Sequence, residues 1–119
     1  MNIINKELYR QKLDALNCCV LIPTYNNEKT IADIINNVLV YTSNIILIND
    51  GSSDSTSEIL KKFEHQISVL SYTPNKGKGI ALRTGIKYAQ EKNFRYAISI
   101  DSDGQHFADD IPVFIDKIE

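Results

Sequence analysis

The amino-acid sequence predicts an α/β fold, in which a Rossmann-like parallel sheet of about four strands has helices on both faces. Short apolar runs alternate with amphipathic segments along the 119 residues, in the order β-α-β-α-β-α-β-α. This alternation is typical of parallel sheets with right-handed crossover connections. Polar residues follow three of the four predicted strands, and open α/β sheets bind ligands at the carboxyl ends of their strands. We therefore expect one small domain with a ligand site along one edge of its sheet.

The first elements are a helix and a buried strand. A short helix is predicted over residues 5–16, because three apolar side chains fall along one helical edge: Leu8, Leu13 and Leu16. The continuous apolar run Cys18–Ile22 follows and is ended by Pro23. A run without polar alternation predicts a strand that is covered on both faces of the sheet.

The next segment repeats the strand and helix pattern. A helix is predicted where apolar residues recur at intervals of three and four, at Ile31, Ile34, Ile35, Val38 and Leu39. The second buried strand is Ile45–Ile48, and it ends at the polar turn 49–54. Ser55 and Glu58 have the spacing of a capping box, which predicts the start of another helix.

The second half of the chain completes the alternation. Ile67–Tyr72 predicts a weaker third strand, and the basic, glycine-containing loop 74–79 leads into a helix. Gly85 within that helix costs roughly 1 kcal/mol relative to alanine, so we expect close packing there. Tyr96–Ile100 predicts a buried fourth strand. A last helix is predicted to begin at Asp109 or Asp110, with its apolar side chains at Phe114, Ile115 and Ile118.

Composition and charge exclude several classes of protein. A net charge of −2 gives no support to nucleic-acid binding. No apolar run approaches the roughly 20 residues of a membrane span, and the N-terminus lacks a signal-peptide profile. Cys18 and Cys19 are adjacent in a predicted strand, so their side chains should point to opposite faces and pack in the core. These features favour a protein of the reducing cytoplasm.

Two carboxylates follow the fourth strand at the sequence Asp101-Ser102-Asp103-Gly104-Gln105-His106. Carboxylates this close repel one another unless a cation lies between them, and oxygen ligands suit Mg²⁺ or Mn²⁺. Such a metal would bridge Asp101 and Asp103 to the phosphates of a nucleotide diphosphate. Asp50 could then hold a ribose or a base, while the basic loop 76–78 meets further phosphate charge. A solvated polar loop is the alternative for the D-x-D spacing taken alone.

Four motifs, in order and spacing, resemble the family 2 glycosyltransferases of the GT-A fold. They are Ile22-Pro23-Thr24-Tyr25-Asn26, Asn49-Asp50-Gly51-Ser52-Ser53-Asp54, Asn75-Lys76-Gly77-Lys78-Gly79 with Ala81 and Arg83, and the Asp101–His106 segment. The pattern is most similar to the polyprenyl-phosphate branch, which resembles dolichyl-phosphate mannose synthase. The resemblance covers Cys18 to Ile118, nearly the whole chain.

The resemblance implies roles for particular residues. The donor, a nucleotide-diphosphate sugar with UDP or GDP, would be bound by Pro23, Thr24, Tyr25, Asn27, Glu28, Asp50, Gly77, Lys78, Arg83, Asp101 and Ser102. The metal, Mg²⁺ or Mn²⁺, would be held by Asp101, Asp103 and Gln105. The acceptor would be a polyprenyl phosphate, another lipid phosphate or a glycan, which is consistent with a cytoplasmic protein that can lie at the inner face of the membrane.

Members of this family are usually much longer than this chain, and their second half supplies the acceptor contacts and, in inverting members, the general base. We therefore expect residues 1–119 to form only the donor-binding part of a GT-A domain, with no catalytic base assigned. A homodimer that covers an exposed apolar edge is a further expectation. The runner-up hypothesis is a non-catalytic nucleotide-binding or interaction module on the same fold.

Two other α/β classes fit less well. A nucleotidyltransferase would normally show a glycine-rich loop directly after the first strand, where this chain has Pro23-Thr24-Tyr25. A signalling receiver domain needs an acidic pair at that position and an aspartate after the third strand, where Tyr72-Thr73-Pro74 stands.

Overall fold

The computed structural model describes residues 3–101, and within them the predicted alternation of strands and helices is confirmed. The helices are α1 (Ile3–Leu16), α2 (Ile31–Leu39), α3 (Thr56–Lys61) and α4 (Lys78–Glu91). The strands are β1 (Cys18–Thr24), β2 (Ile45–Asp50), β3 (Ser68–Tyr72) and β4 (Tyr96–Ser99). The helix predicted from Asp109 or Asp110 lies outside the described residues.

The four strands form one parallel sheet in the order β3-β2-β1-β4. Strands β1 and β2 lie in the middle and are buried at every residue, as their continuous apolar runs predict. Among the described residues β4 lies at one edge of the sheet, and the prediction that it is buried is wrong for one of its two faces. Ile98 and the following Ile100 are buried there, whereas Ala97 and Ser99 are exposed.

Helices cover both faces of the sheet. On one face α1, α2 and α3 pack their apolar side chains against Val20, Ile22 and Leu47. On the other face α4 packs against Leu21 and Ile48 through small residues one turn apart: Ala81, Gly85 and Ala89. A methyl group at Gly85 would lie 2.7 Å from Cδ1 of Ile48, which confirms the close packing predicted at this glycine.

Two details of the predicted elements are wrong. Strand β1 does not end before Pro23 but continues to Thr24, and Pro23 pairs in register with Ile48. The Leu21 carbonyl accepts a hydrogen bond from Ile100 on the β4 side, so Pro23, two residues on, faces the same way, beyond the end of that pairing. Proline has no N–H to donate to the Ile100 carbonyl, which would be the next bond of that ladder, so the pairing of β1 with β4 ends there while the pairing with β2 continues. In α1, Leu8 is exposed and does not share the buried edge of Leu13.

Cys18 and Cys19 are both fully buried and belong to the cores on opposite faces of the sheet, as predicted. Burial raises the pKa of Cys18 to about 11 and that of Cys19, with a further contribution from Cys18, to about 12. Both thiols are therefore protonated and inaccessible in the folded protein.

We expect a water-soluble thiol reagent to label these cysteines only as fast as the fold opens. The measurement is the labelling rate at neutral pH as a function of urea, followed by release of the reagent's chromophore. Immediate labelling of either thiol without denaturant would contradict this assignment of both side chains to the core.

Candidate functional site

The loop after β1 is fixed to the loop after β2 by Asn26. Its side-chain Oδ1 accepts hydrogen bonds from the backbone N–H groups of Ser53, at 2.8 Å, and Asp54, at 3.3 Å. The Asn26 backbone N–H donates to the Ser52 hydroxyl over 3.0 Å. Asn26 has a φ of +52°, a left-handed conformation that asparagine adopts more readily than most residues. The backbone beside Tyr25 is therefore held in one position, and Tyr25 itself remains 46% exposed.

Glu28 extends this contact between the two loops. Its carboxylate accepts a hydrogen bond from the backbone N–H of Ser55 over 3.0 Å. The capping box predicted from Ser55 and Glu58 is therefore wrong, since Ser55 makes no side-chain cap on α3. Instead, Asp54 Oδ1 accepts the backbone N–H of Thr56, at 2.9 Å, at the start of that helix.

Asp50, the last residue of β2, binds the loop between β3 and α4. Its Oδ1 accepts the backbone N–H of Lys76 at 2.8 Å. Its Oδ2 accepts the Asn75 side-chain amide at 3.0 Å and the backbone N–H of Gly77 at 2.9 Å. The residue is only 3% exposed, so these bonds replace most of the hydration of the carboxylate.

The ionisation of Asp50 follows from this environment. Burial by itself would raise the pKa, but the Tyr72 hydroxyl, the N–H groups of Lys76 and Gly77 and the Lys76 charge outweigh burial and lower it. Burial of Tyr72, together with the adjacent Asp50 carboxylate, raises the pKa of Tyr72 to about 12. Asp50 is thus an anion and Tyr72 a neutral phenol at physiological pH.

Lys78, the first residue of α4, reaches across the end of the sheet to Asp101. Its Nζ donates a hydrogen bond to Asp101 Oδ1, and the two groups form an ion pair. Both side chains are partly exposed, at 59% and 41%, so the pair is open to solvent and to a ligand. The contact joins the basic loop after β3 to the acidic segment after β4.

These loops surround a cavity of about 380 Å³ at the carboxyl ends of the strands. This volume is within the range of roughly 300–1,000 Å³ that is usual for small-molecule sites. The residues that line it are Pro23, Thr24, Tyr25, Asn27, Asp50, Asn75, Gly77, Lys78, Ala81 and Asp101. The cavity therefore lies where the polar ends of β1, β2 and β4 meet.

The structure brings together eight of the eleven predicted donor-binding residues and leaves two, Glu28 and Arg83, outside the lining of the cavity. Glu28 binds the start of α3, and Arg83 lies on the exposed face of α4; neither lines the cavity. Ser102 lies outside the described residues, as do the predicted metal ligands Asp103 and Gln105. Two lining residues, Asn75 and Ala81, were not assigned a role from the sequence, although both belong to the glycine-containing motif that pointed to this loop.

Asp101 is the described residue that could contribute to a metal site. Its carboxylate offers hard oxygen donors at the cavity and already faces a cation, the Lys78 ammonium. Within residues 3–101 no group of three or more His, Cys, Asp or Glu side chains is placed to hold a metal. One carboxylate together with phosphate oxygens of a ligand fits the way in which Mg²⁺ is usually bound.

Because hydrogen bonds outweigh burial at both Asp50 and Asp54, both pKa values lie below the ordinary value. An aspartate in the unfolded chain has a pKa of about 4. As the pH falls below that value, these two side chains therefore bind protons in the unfolded chain before they do so in the folded protein. We expect the contribution of these two carboxylates to the free energy of unfolding to be constant above that pH and to decrease below it, toward the folded-state pKa values. Urea unfolding at several pH values measures this dependence. In Asp50→Asn and Asp54→Asn, the free energy of unfolding should decrease less between neutral and acidic pH than it does in the wild-type chain. The exposed Asp33→Asn is the control, and an unchanged slope in both test variants would contradict the assignment.

A parallel α/β sheet with a ligand-sized cavity across the carboxyl ends of its strands is typical of proteins that bind nucleotides and other small molecules. Residues 19–119 match Glycosyl transferase family 2. The chain therefore belongs to the family 2 glycosyltransferases, and its sheet has the GT-A fold.

Relatives and solved structures agree with this assignment. The chain is 36% identical over 115 residues to a UDP-N-acetylglucosamine--dolichyl-phosphate N-acetylglucosaminyltransferase of Methanococcus voltae, an alignment that covers 83% of this chain and 46% of that protein. The segment 1–349 of S. aureus TarS, in complex with UDP-GlcNAc, aligns with a TM-score of 0.64 and 25% identity, over 84% of this chain and 31% of that segment. The chain thus spans less than half the length of these relatives.

A further solved structure shares the fold. Glucosyl-3-phosphoglycerate synthase from Mycobacterium tuberculosis, in complex with Mn²⁺, UDP and glucosyl-3-phosphoglycerate, aligns with a TM-score of 0.59 and 20% identity. The alignment covers 82% of this chain and 37% of that enzyme. Among residues 3–101 of the present chain, no helix is long and apolar enough to cross a membrane.

Proposed function

We propose that this chain is the donor-binding part of a glycosyltransferase that uses UDP-N-acetylglucosamine. The observation that carries the proposal is the cavity of about 380 Å³, in which three separate loops and the end of β2 place an aromatic ring, amides, a lysine and two carboxylates around one space. The named M. voltae relative uses this sugar nucleotide, and TarS was crystallised with it. Both support UDP rather than GDP as the nucleotide.

The described residues divide the proposed site into two ends. Pro23, Tyr25 and Asn27 line the end formed by the loop after β1, where the exposed ring of Tyr25 can stack on the base. Lys78 and Asp101 line the other end, where charged groups suit a diphosphate. The nucleotide would therefore lie across the carboxyl ends of β1 and β2.

A divalent cation, Mg²⁺ or Mn²⁺, is part of this proposal. Asp101 would hold it, and the sequence places Asp103 and Gln105 two and four residues further along as its other protein ligands. When bound, such a cation supplies Lewis-acid neutralisation of the charge that develops on the leaving diphosphate. The protein's own contribution would be to orient the diphosphate through Lys78 and to keep the base in the cavity.

The acceptor is proposed by class only. A polyprenyl or other lipid phosphate is supported by the M. voltae relative, and a glycan by the poly-beta-1,6-N-acetyl-D-glucosamine synthase of Staphylococcus epidermidis, which is 36% identical over 100 residues. A lipid-phosphate acceptor would place the protein at the cytoplasmic face of a membrane. Residues 1–119 would form the donor-binding part of the GT-A domain, and the acceptor contacts would come from outside them.

The test is a titration of the chain with UDP, UDP-GlcNAc, GDP and GDP-mannose, each with and without Mn²⁺, followed by thermal unfolding and calorimetry. A ligand that binds only the folded state raises stability in proportion to RT ln(1 + [L]/Kd). We expect stabilisation by UDP and UDP-GlcNAc that increases with Mn²⁺, and little by GDP. No stabilisation by any nucleotide would contradict the proposal.

The second candidate is a nucleotide-binding module without turnover, which the same cavity would also serve. It differs from the first in one measurable respect. Release of UDP from UDP-GlcNAc in the presence of a polyprenyl phosphate would establish transfer. Binding of UDP-GlcNAc without release of UDP, whichever acceptor is added, would favour the module without turnover.

A further inference from the structure

We infer that the outer face of α4 is a docking surface for bilayers that contain anionic lipids. Such a surface would deepen the proposed function, on which this inference rests, because a lipid-phosphate acceptor would reach the protein from a bilayer. Two features coincide on this helix: an excess of positive charge and exposed isoleucines.

The charge of the chain is divided unevenly between α4 with its flanking residues and the rest of the molecule. Residues 76–95 carry six basic side chains and one acidic one, a formal charge of +5, whereas the whole chain has −2. The remaining residues therefore carry −7. All six basic residues are exposed: Lys76, Lys78, Arg83, Lys87, Lys92 and Arg95. A basic segment on an otherwise acidic chain favours an anionic partner.

The buried stripe of small residues on α4 determines which side chains form its outer face. These residues recur every four positions and pack against the sheet. With about 3.6 residues per turn, Arg83 and Lys87 lie opposite the stripe. Ile80 and Ile86 lie on either side of this basic pair and are 42% and 46% exposed. The outer face of α4 therefore presents two cationic side chains between two apolar ones.

The basic pair is available to a partner. Within residues 3–101 neither Arg83 nor Lys87 forms an ion pair. Helices that lie in a bilayer interface combine basic groups, which meet lipid phosphates, with apolar side chains that enter between the headgroups. The isoleucines favour a bilayer over a purely polar polyanion such as a nucleic-acid backbone, because a polar polyanion would leave them in water.

The outer face of α4 also lies beside the proposed donor site. Lys78 and Ala81, in the first turn of the helix, line the cavity. A helix with its side chains is about 10–12 Å across, so a bilayer on the outer face would lie about that far from the cavity. A lipid phosphate at the bilayer surface would thus be one helix diameter from the sugar donor.

The first test is co-sedimentation of the chain with vesicles of phosphatidylcholine, alone or with an equal part of phosphatidylglycerol. It needs neither nucleotide nor acceptor. We expect binding to the anionic vesicles only, and about 30-fold weaker binding for Arg83→Gln combined with Lys87→Gln, since each basic side chain near such a surface contributes roughly fivefold. Lys61→Gln combined with Lys62→Gln removes the same charge from exposed positions at the end of α3, on the other face of the sheet, and should change binding little. An equal loss in both double variants would overturn the inference.

The second test separates a bilayer from other polyanions. Ile80→Ser combined with Ile86→Ser should weaken vesicle binding by about tenfold or more, because both apolar side chains are lost from the bilayer interface. Retention on heparin, a polyanion without lipid, should stay unchanged. Leu8→Ser combined with Val40→Ser is the control, since these residues are 46% and 39% exposed but lie on α1 and at the end of α2. Unchanged vesicle binding in the isoleucine variant would indicate a surface for polar polyanions and would overturn the inference.

Urea unfolding of the same isoleucine variant shows whether another part of the chain covers these side chains. Serine and isoleucine have similar helix propensities, so substitution at exposed positions should leave the unfolding midpoint unchanged. A clearly lower midpoint would mean that Ile80 and Ile86 are packed within the folded chain. That result would overturn the docking surface.

A fluorescent label on α4 measures the orientation of the bound chain. Because Cys18 and Cys19 are buried, an environment-sensitive thiol reagent should label Ile86→Cys at the introduced thiol alone. Anionic vesicles should shift its emission to the blue, whereas a label at Leu8→Cys should not respond. A blue shift at Leu8→Cys alone would overturn the inference. If the chain binds anionic vesicles through α4 but binds no nucleotide, the proposed function fails and the docking surface stands; if it binds UDP but no vesicles, the docking surface alone fails.

Discussion

Replacement of Gly51 by alanine is expected to lower the free energy of unfolding by about 2–5 kcal/mol, because two costs combine. Gly51 has a φ of +68°, a conformation that is strained for any residue with a Cβ. The added methyl group would also lie 2.4–2.8 Å from backbone atoms of Pro74 and Asn75. Backbone atoms cannot rotate away as the end of a side chain can, so the loop that begins at Pro74 must move as a unit.

The chain provides a matched control for this prediction. Gly79 lies in the first turn of α4, and a methyl group there meets no atom within 4 Å. Gly79→Ala should therefore stabilise the protein, by up to about 1 kcal/mol, since alanine favours helix more than glycine does. Urea unfolding of both variants measures the difference. A Gly51→Ala protein as stable as wild type would contradict the close contact between the end of β2 and this loop.

The main elements of the fold were predictable because their signals are local. Continuous apolar runs predicted β1 and β2, and intervals of three and four predicted α2, whose residues Ile31, Ile34, Ile35 and Val38 are buried. The buried face of α4 was less evident. It consists of Ala81, Gly85 and Ala89, whereas Ile80 and Ile86 are exposed. Hydrophobicity alone favours the isoleucines, but close approach of the helix to the sheet requires small residues.

The residues of the candidate site were also predictable in outline, because parallel strands place their carboxyl ends together. The hydrogen-bond partners of these residues were not predictable. The Asp50 carboxylate accepts a hydrogen bond from Lys76, 26 residues away in the chain, and the Glu28 carboxylate accepts one from Ser55, 27 residues away. They depend on loop backbone geometry, including the positive φ of Asn26 and Gly77, which no periodicity in the sequence records. The assignment of Glu28 to donor binding failed to anticipate its bond to α3 for this reason.

The second large effect is expected from Asp101→Asn. This carboxylate faces Lys78 and, in the proposed site, would also hold the divalent cation that neutralises the diphosphate. The asparagine keeps the shape of the side chain but removes the charge that attracts both cations. Substitution of residues that merely support a metal ligand typically weakens metal binding about 10–100-fold, so loss of the ligand itself should weaken UDP binding in Mn²⁺ by about 100-fold.

The metal-free measurement makes this prediction specific. Without Mn²⁺, Asp101→Asn should bind UDP at least as well as wild type, because the Lys78 ammonium is released from its ion pair and one negative charge is removed near the diphosphate. The variant should thus lose the gain in affinity that Mn²⁺ gives the wild-type chain. Asp33→Asn, which removes an equal charge from the exposed face of α2, should retain that gain. Calorimetric titration of the wild-type chain and both variants with UDP, at several Mn²⁺ concentrations, measures this gain in affinity. An Asp101→Asn protein with an unaltered response to Mn²⁺ would show that the metal is held elsewhere.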